Sequence, residues 1–135
     1  MALSYRDRYE HSRPSYVKVN DKRFADLPAG TTVLVPSPRD IEAEIRGLRG
    51  AETLTFAELR ERLAARHAAD GTCPVMTSMN LRIVAEIALA ELDDGIPADA
   101  VTEVWRVIDH RSALARKVPG GPDRIEALRA GIGNA

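Results

Sequence analysis

Cys73 and His67 are the two side chains of this sequence best suited to covalent chemistry. Cys73 precedes Pro74 just ahead of a long helix-patterned run, and His67 lies on the helical segment before it. A thiol at a helix N-terminus with an imidazole nearby favours the thiolate. The pair therefore reads as nucleophile and base, acting on an alkyl or acyl group of a small molecule. The same cysteine also suits a buried turn, because free cysteine is among the most often buried residue types. Arg82 precedes Glu86 by one helical turn, so it is either a guanidinium offered to a partner or half of a helical ion pair. Trp105 reads as a stacking surface for a base or ligand, or as a core residue. Arg111, Arg116 and Lys117 form a basic stretch, read as phosphate contacts or as a solvated loop. His11 and His110 are solitary, Asp93-Asp94 fits a helix end, and Gly120-Gly121 is too short to cradle a phosphate. No metal and no cofactor are expected.

These residues need elements to hold them. Residues 1–30 read as an N-terminal arm, with a helical turn over 5–11 and breaks at Pro14, Asn20-Asp21 and Pro28-Ala29-Gly30; residues 31–135 read as the folded domain. Residues 31–35 are β-branched and bounded by Gly30 and Pro36, which predicts a strand. Ser37-Pro38 starts a helix that carries Ile41, Ile45 and Leu48 on one face and ends at Gly50. Thr55 and Glu58 make a capping box for a second helix, with Phe56, Leu59 and Leu63 as its buried stripe and its end near Ala69. A third helix is predicted from Thr77 or Ser78 to Leu92. It is apolar nearly all round, as a central helix is. Residues 104–108 read as a short strand, 109–111 as a turn and 123–130 as a last helix, with Ile125 and Leu128 facing inward and Gly131 just past its end.

The chain has 135 residues, of which 44% are hydrophobic and 29% charged, enough for one core and too apolar for a disordered chain. A single cysteine excludes an internal disulfide and a multi-cysteine zinc module. Residues 1–10 are polar and no apolar run reaches bilayer length, so no leader and no membrane are expected. Net charge is −1, but residues 1–24 and 105–135 each carry +3 and residues 25–104 carry −7.

Two helices joined by a turn, then a strand, a basic loop and a closing helix, suggest a mainly α, winged helix-turn-helix domain with a short β element. In detail, residues 41–133 resemble the DNA-binding domain of the methylated-DNA–protein cysteine methyltransferases and their non-catalytic alkyltransferase-like relatives. The family's Pro-x-Gly-x-Val-x-Thr-Tyr-Gly-x-Ile-Ala segment has its counterpart in Arg49-Gly50-Ala51 through Leu54-Thr55-Phe56-Ala57-Glu58-Leu59, with Phe56 in place of the tyrosine. The recognition-helix motif Ala-Arg-Ala-Val-Gly is matched by Leu81-Arg82-Ile83-Val84-Ala85. The active-site motif Pro-Cys-His-Arg-Val is matched by Glu103-Val104-Trp105-Arg106-Val107, so Val104 and Trp105 stand where the nucleophile and its histidine belong. Lys117-Val118-Pro119-Gly120-Gly121 is similar to the family's Gly-rich loop.

The resemblance implies a protein that recognises alkylated guanine by base flipping and does not transfer the alkyl group, since nucleophile and base are both replaced. It implies DNA contacts from Thr55 and Phe56, from Thr77, Ser78, Asn80 and Arg82 on the recognition helix, and from Arg116 and Lys117 on the wing. Arg82 would fill the gap left by the base, and Val104, Trp105 and Arg106 would form the lesion pocket. The expected partners are double-stranded DNA, alkylated, and a repair protein, with the chain a cytoplasmic monomer. The other expectation is an enzyme on the same scaffold, with Cys73 as nucleophile and His67 as base.

Overall fold

The computed structural model describes residues 3–133; Met1, Ala2, Asn134 and Ala135, the ends of the expected arm and domain, lie outside the described residues. In chain order the elements are α1 (Tyr5–Glu10), β1 (Tyr16–Val19), β2 (Thr32–Val35), α2 (Pro38–Arg46), α3 (Phe56–Arg66), β3 (Gly71–Thr72), α4 (Pro74–Asp93) and α5 (Gly121–Ala130), with single 3₁₀ turns at Ala98–Ala100 and Val104–Arg106. The result is a small mixed α/β domain. The three strands lie in the order β1-β2-β3. β1 runs antiparallel to β2 with Tyr16 opposite Val35, and β3 runs parallel to β2 with Leu34 opposite Thr72. A parallel pair needs a crossover, and α2 and α3 supply it.

α4 is the centre of the packing, as its apolar composition predicts. It lies against α1, α2 and the Val104–Arg106 turn. Leu81, Val84, Ala85, Ala88 and Leu89 are buried along it and join Ile41, Ile45, Leu59, Leu63 and Ile125 in one core. The helix starts are those the caps dictate. The Ser37 hydroxyl accepts from the Asp40 amide, with Pro38 in the first turn of α2. Thr55 and Glu58 form the complete capping box of α3.

Several expectations are corrected. The helix-turn-helix is interrupted, because β3 separates α3 from α4 and pairs with β2. Residues 104–108 are not a strand: Val104, Trp105, Val107 and Ile108 are buried around a 3₁₀ turn whose amides are satisfied locally, Arg106 N–H by Glu103 O at 3.0 Å and Val107 N–H by Val104 O at 3.0 Å. A short apolar β-branched run fits a buried turn as well as a strand. No hairpin follows α4 among the described residues; turns and bends occupy 110–120. α4 begins at Pro74 rather than Thr77, because proline is pre-organised for a first helical turn. α2 ends at Arg46 and α3 at Arg66, each before the expected breaker. α5 begins at Gly121 behind Gly120, whose φ of +85° suits glycine, and Gly131 closes it in a right-handed conformation, not a left-handed one. β1 and β3 escaped the sequence reading, β1 as a fully exposed edge strand and β3 as two residues.

Candidate functional site

A cavity of about 470 Å³ opens between four segments. Thr53, Thr55 and Phe56 come from the entry to α3; Pro74, Ser78 and Leu81 come from the first two turns of α4. Val107, Ile108, Asp109, Ser112 and Leu114 come from the chain after the 3₁₀ turn, and Arg129 comes from α5. The volume is that of a small-ligand site, and the wall is apolar with a few polar groups, as such sites are.

The walls are fixed by hydrogen bonds that the local sequence supplies. Arg129 Nη1 donates to Trp105 O at 2.6 Å and to Ile108 O at 3.0 Å, and so holds the cavity floor. Leu54 N–H donates to Arg106 O at 2.9 Å, while Arg106 Nη1 donates to Glu52 O at 2.8 Å, which joins the floor to the α3 entry. Asp109 accepts from the Arg111 amide at 2.8 Å and from its guanidinium at 3.2 and 3.0 Å. The Arg111 side chain, then its backbone amide, hold the Asp109 carboxyl well below the usual carboxylate range, and Arg111 is raised in return. Ser112 Oγ donates to Asp109 O at 2.6 Å. Glu58 is likewise lowered, by the backbone and then the side chain of Thr55. Asp109, Ser112, Glu58, Thr55 and Arg129 are therefore committed to the frame. The hydroxyls of Thr53 and Ser78 have no hydrogen-bond partner among the described residues and are free to meet a ligand.

The predicted residues separate into groups. Phe56 and Ser78 line the cavity. Thr55 lines it too but is spent on its cap. Thr77 is wholly buried and donates to Cys73 O at 2.6 Å, so it meets no partner. Asn80 faces the other side of α4 and donates to Pro36 O at 2.7 Å. Arg82 is tied down rather than free: it lies 3.4 Å from Glu86, donates to Lys117 O at 3.3 Å and sits 5.7 Å from the Tyr5 ring centroid. Insertion into a duplex would require it to leave all of these. The Lys117 contact does place the Arg116-Lys117 stretch beside α4, with both cationic side chains exposed and unpaired among the described residues.

Val104 and Trp105 do not form the pocket wall. Both are core residues, at 0% and 2% exposure, and the wall begins with Val107. Arg106 is buried and bonded to Glu52 O, with Glu103 at 3.4 Å. The thiol and imidazole are not brought together. His67 caps α3, with Nδ1 at 3.1 Å from Leu63 O and Nε2 at 3.4 Å from Asp40, and nothing joins it to Cys73. Cys73 is half-buried at the N-cap of α4, beside the cavity and outside its wall. Among the described residues no group of His, Cys, Asp and Glu could hold a metal, and no helix is long and apolar enough to cross a membrane.

Sequence reasoning missed Val107, Ile108, Ser112, Leu114 and Arg129. The first two were hidden in a supposed strand, and Arg129 carries no signal but its charge on a short helix. No family model, curated protein or solved structure matches the chain.

Proposed function

We propose that the chain is a non-catalytic reader of alkylated guanine in double-stranded DNA, with the cavity taking the extruded base. One observation carries the reading. The cavity gathers an aromatic ring, aliphatic walls and unpaired hydroxyls from Phe56, Leu81, Ile108, Thr53 and Ser78, with no thiol or imidazole on its wall. A flipped base needs apolar and aromatic surface plus a few hydrogen-bonding groups, and alkyl transfer needs a nucleophile and base. The α3 entry and α4, which the family resemblance sets against the DNA, both contribute to the cavity, and a third wall starts at Val107, the last residue of the matched active-site motif. On this reading α3, α4 and the 107–120 segment form a variant winged helix-turn-helix, with a coil of turns in place of the wing. Arg116 and Lys117 supply phosphate contacts there, and the alkyl group is left for a repair protein to remove.

The test is fluorescence anisotropy on a duplex with one O6-methylguanine against the same duplex unmodified. The expected result is a preference of about tenfold or more, with the methyl group still on the DNA by mass spectrometry. Ser78→Leu, which fills the cavity, removes the preference. Equal binding of both duplexes by the wild type overturns the proposal.

A further inference from the structure

The opposite side of α4 carries a second concavity, of about 590 Å³, between that helix and the N-terminal segment. Tyr5 and Arg8 of α1, Arg13, and Tyr16 of β1 form one wall; Met79 and Arg82 of α4 form the other. No carboxylate lines it. Arg8 lies 5.1 Å from the Tyr5 ring centroid and Arg13 lies 4.8 Å from that of Tyr16. Neither guanidinium has an ion-pair or hydrogen-bond partner among the described residues, so all their donors are open. The acidic side chains of α1 do not neutralise the groove: Asp7 is exposed away from its wall and Glu10 pairs with Arg39 at 3.5 Å. Met79 is 58% exposed, an apolar ledge above the groove.

Open guanidinium groups beside aromatic rings, that of Tyr16 exposed, suit a strand that offers phosphates and bases in turn. We infer that this groove binds a single-stranded nucleic-acid segment, with phosphates on Arg8 and Arg13 and bases against Tyr16 and Met79. The inference rests on the reading of the chain as a nucleic-acid binder and adds a second contact region to it. Ser78 faces the cavity while its neighbour Met79 faces the groove.

The experiment uses a fluorescein-labelled twelve-residue oligothymidylate, titrated by anisotropy between 50 and 200 mM salt. The double variant Arg8→Ala/Arg13→Ala is expected to bind about tenfold more weakly at the lower salt and to lose about 1.4 from the log–log salt slope, two phosphate contacts' worth. Arg8→Lys/Arg13→Lys retains the slope, which excludes misfolding as the cause. The modified and unmodified duplexes are titrated in parallel: equal binding of those two, with the effect of the alanine variant on the oligonucleotide intact, fails the cavity reading alone. An unchanged affinity and slope in the alanine variant overturns the inference. So does polyglutamate binding as tight as the oligonucleotide, which assigns the groove to an acidic protein segment.

Discussion

Arg129→Met tests the claim that one guanidinium holds the cavity floor. Nη1 meets two backbone carbonyls, of Trp105 at 2.6 Å and Ile108 at 3.0 Å, in a segment where Trp105, Val107 and Ile108 are almost wholly buried. Methionine keeps most of the apolar stem and removes both donors. A hydrogen bond with a charged partner contributes about 1.5–3 kcal/mol, and the carbonyls left behind are shielded from water, so the two together should cost about 3 kcal/mol. For a chain of this length that is roughly 10 °C in Tm. Thermal and urea unfolding followed by circular dichroism give the number. A change in base binding is expected as well, because Val107 and Ile108 lose their fixed position. Arg129→Lys keeps a charge but loses the fork, so it should recover only part of the stability. A Tm within about 2 °C of wild type for Arg129→Met, with binding of modified duplex unchanged, would refute the claim that the floor depends on this side chain.

Thr55→Ala removes the hydroxyl that accepts from the Glu58 amide, while the residue-55 amide can still donate to the Glu58 carboxylate; a loss of about 1 kcal/mol is expected in urea unfolding, and a neutral result would show that the hydroxyl adds nothing in this context. Asp109 predicts a pH effect. Its folded pKa lies below the ordinary 3.8, so its contribution is complete above that value and disappears as pH falls through the folded one. The stability difference between wild type and Asp109→Asn should therefore narrow between about pH 5 and pH 2, and a constant difference would exclude the Arg111 contact as its source.

What could be read from the chain was what short-range chemistry fixes. Ser37-Pro38, the Thr55–Glu58 box and the Ile41, Ile45, Leu48 spacing each determine a local conformation within one or two turns, and each stands in the structure. The Pro74 start of α4 rests on the same short-range chemistry, three residues ahead of the expected Thr77. The misses depend on distant partners. β3 is a strand only because Leu34 lies beside Thr72. Residues 104–108 form a buried turn because Leu54 and Arg129 bond to its carbonyls. The cavity was expected at Val104–Arg106, where the motif lies, but side chains there are consumed by the core and the wall is displaced to Val107–Leu114.

Arg82 shows how folding changes the meaning of the charge pattern. The net charge of −1 and the acidic residues 25–104 argue against a polyanion partner when the chain is read as a line. The two +3 ends are far apart in that line. In the fold, Tyr5 from the first basic segment and Lys117 from the last meet the same guanidinium on α4. Part of the acidic middle is met by the basic C-terminal segment: Asp93 pairs with Arg124 at 2.8 Å, and Glu103 lies 3.4 Å from Arg106. Such pairing removes field without removing formal charge, since at a few ångströms opposite charges cancel beyond the Debye length of about 8–10 Å. Arg8, Arg13, Arg116 and Lys117, whose side chains lack acidic partners among the described residues, lie beside the N-terminal half of α4, while Glu91 and Asp94 leave its C-terminal end acidic. A chain nearly neutral in sum thus presents a helix with cationic ground on both flanks, and that distribution is what a nucleic acid lying across α4 would meet.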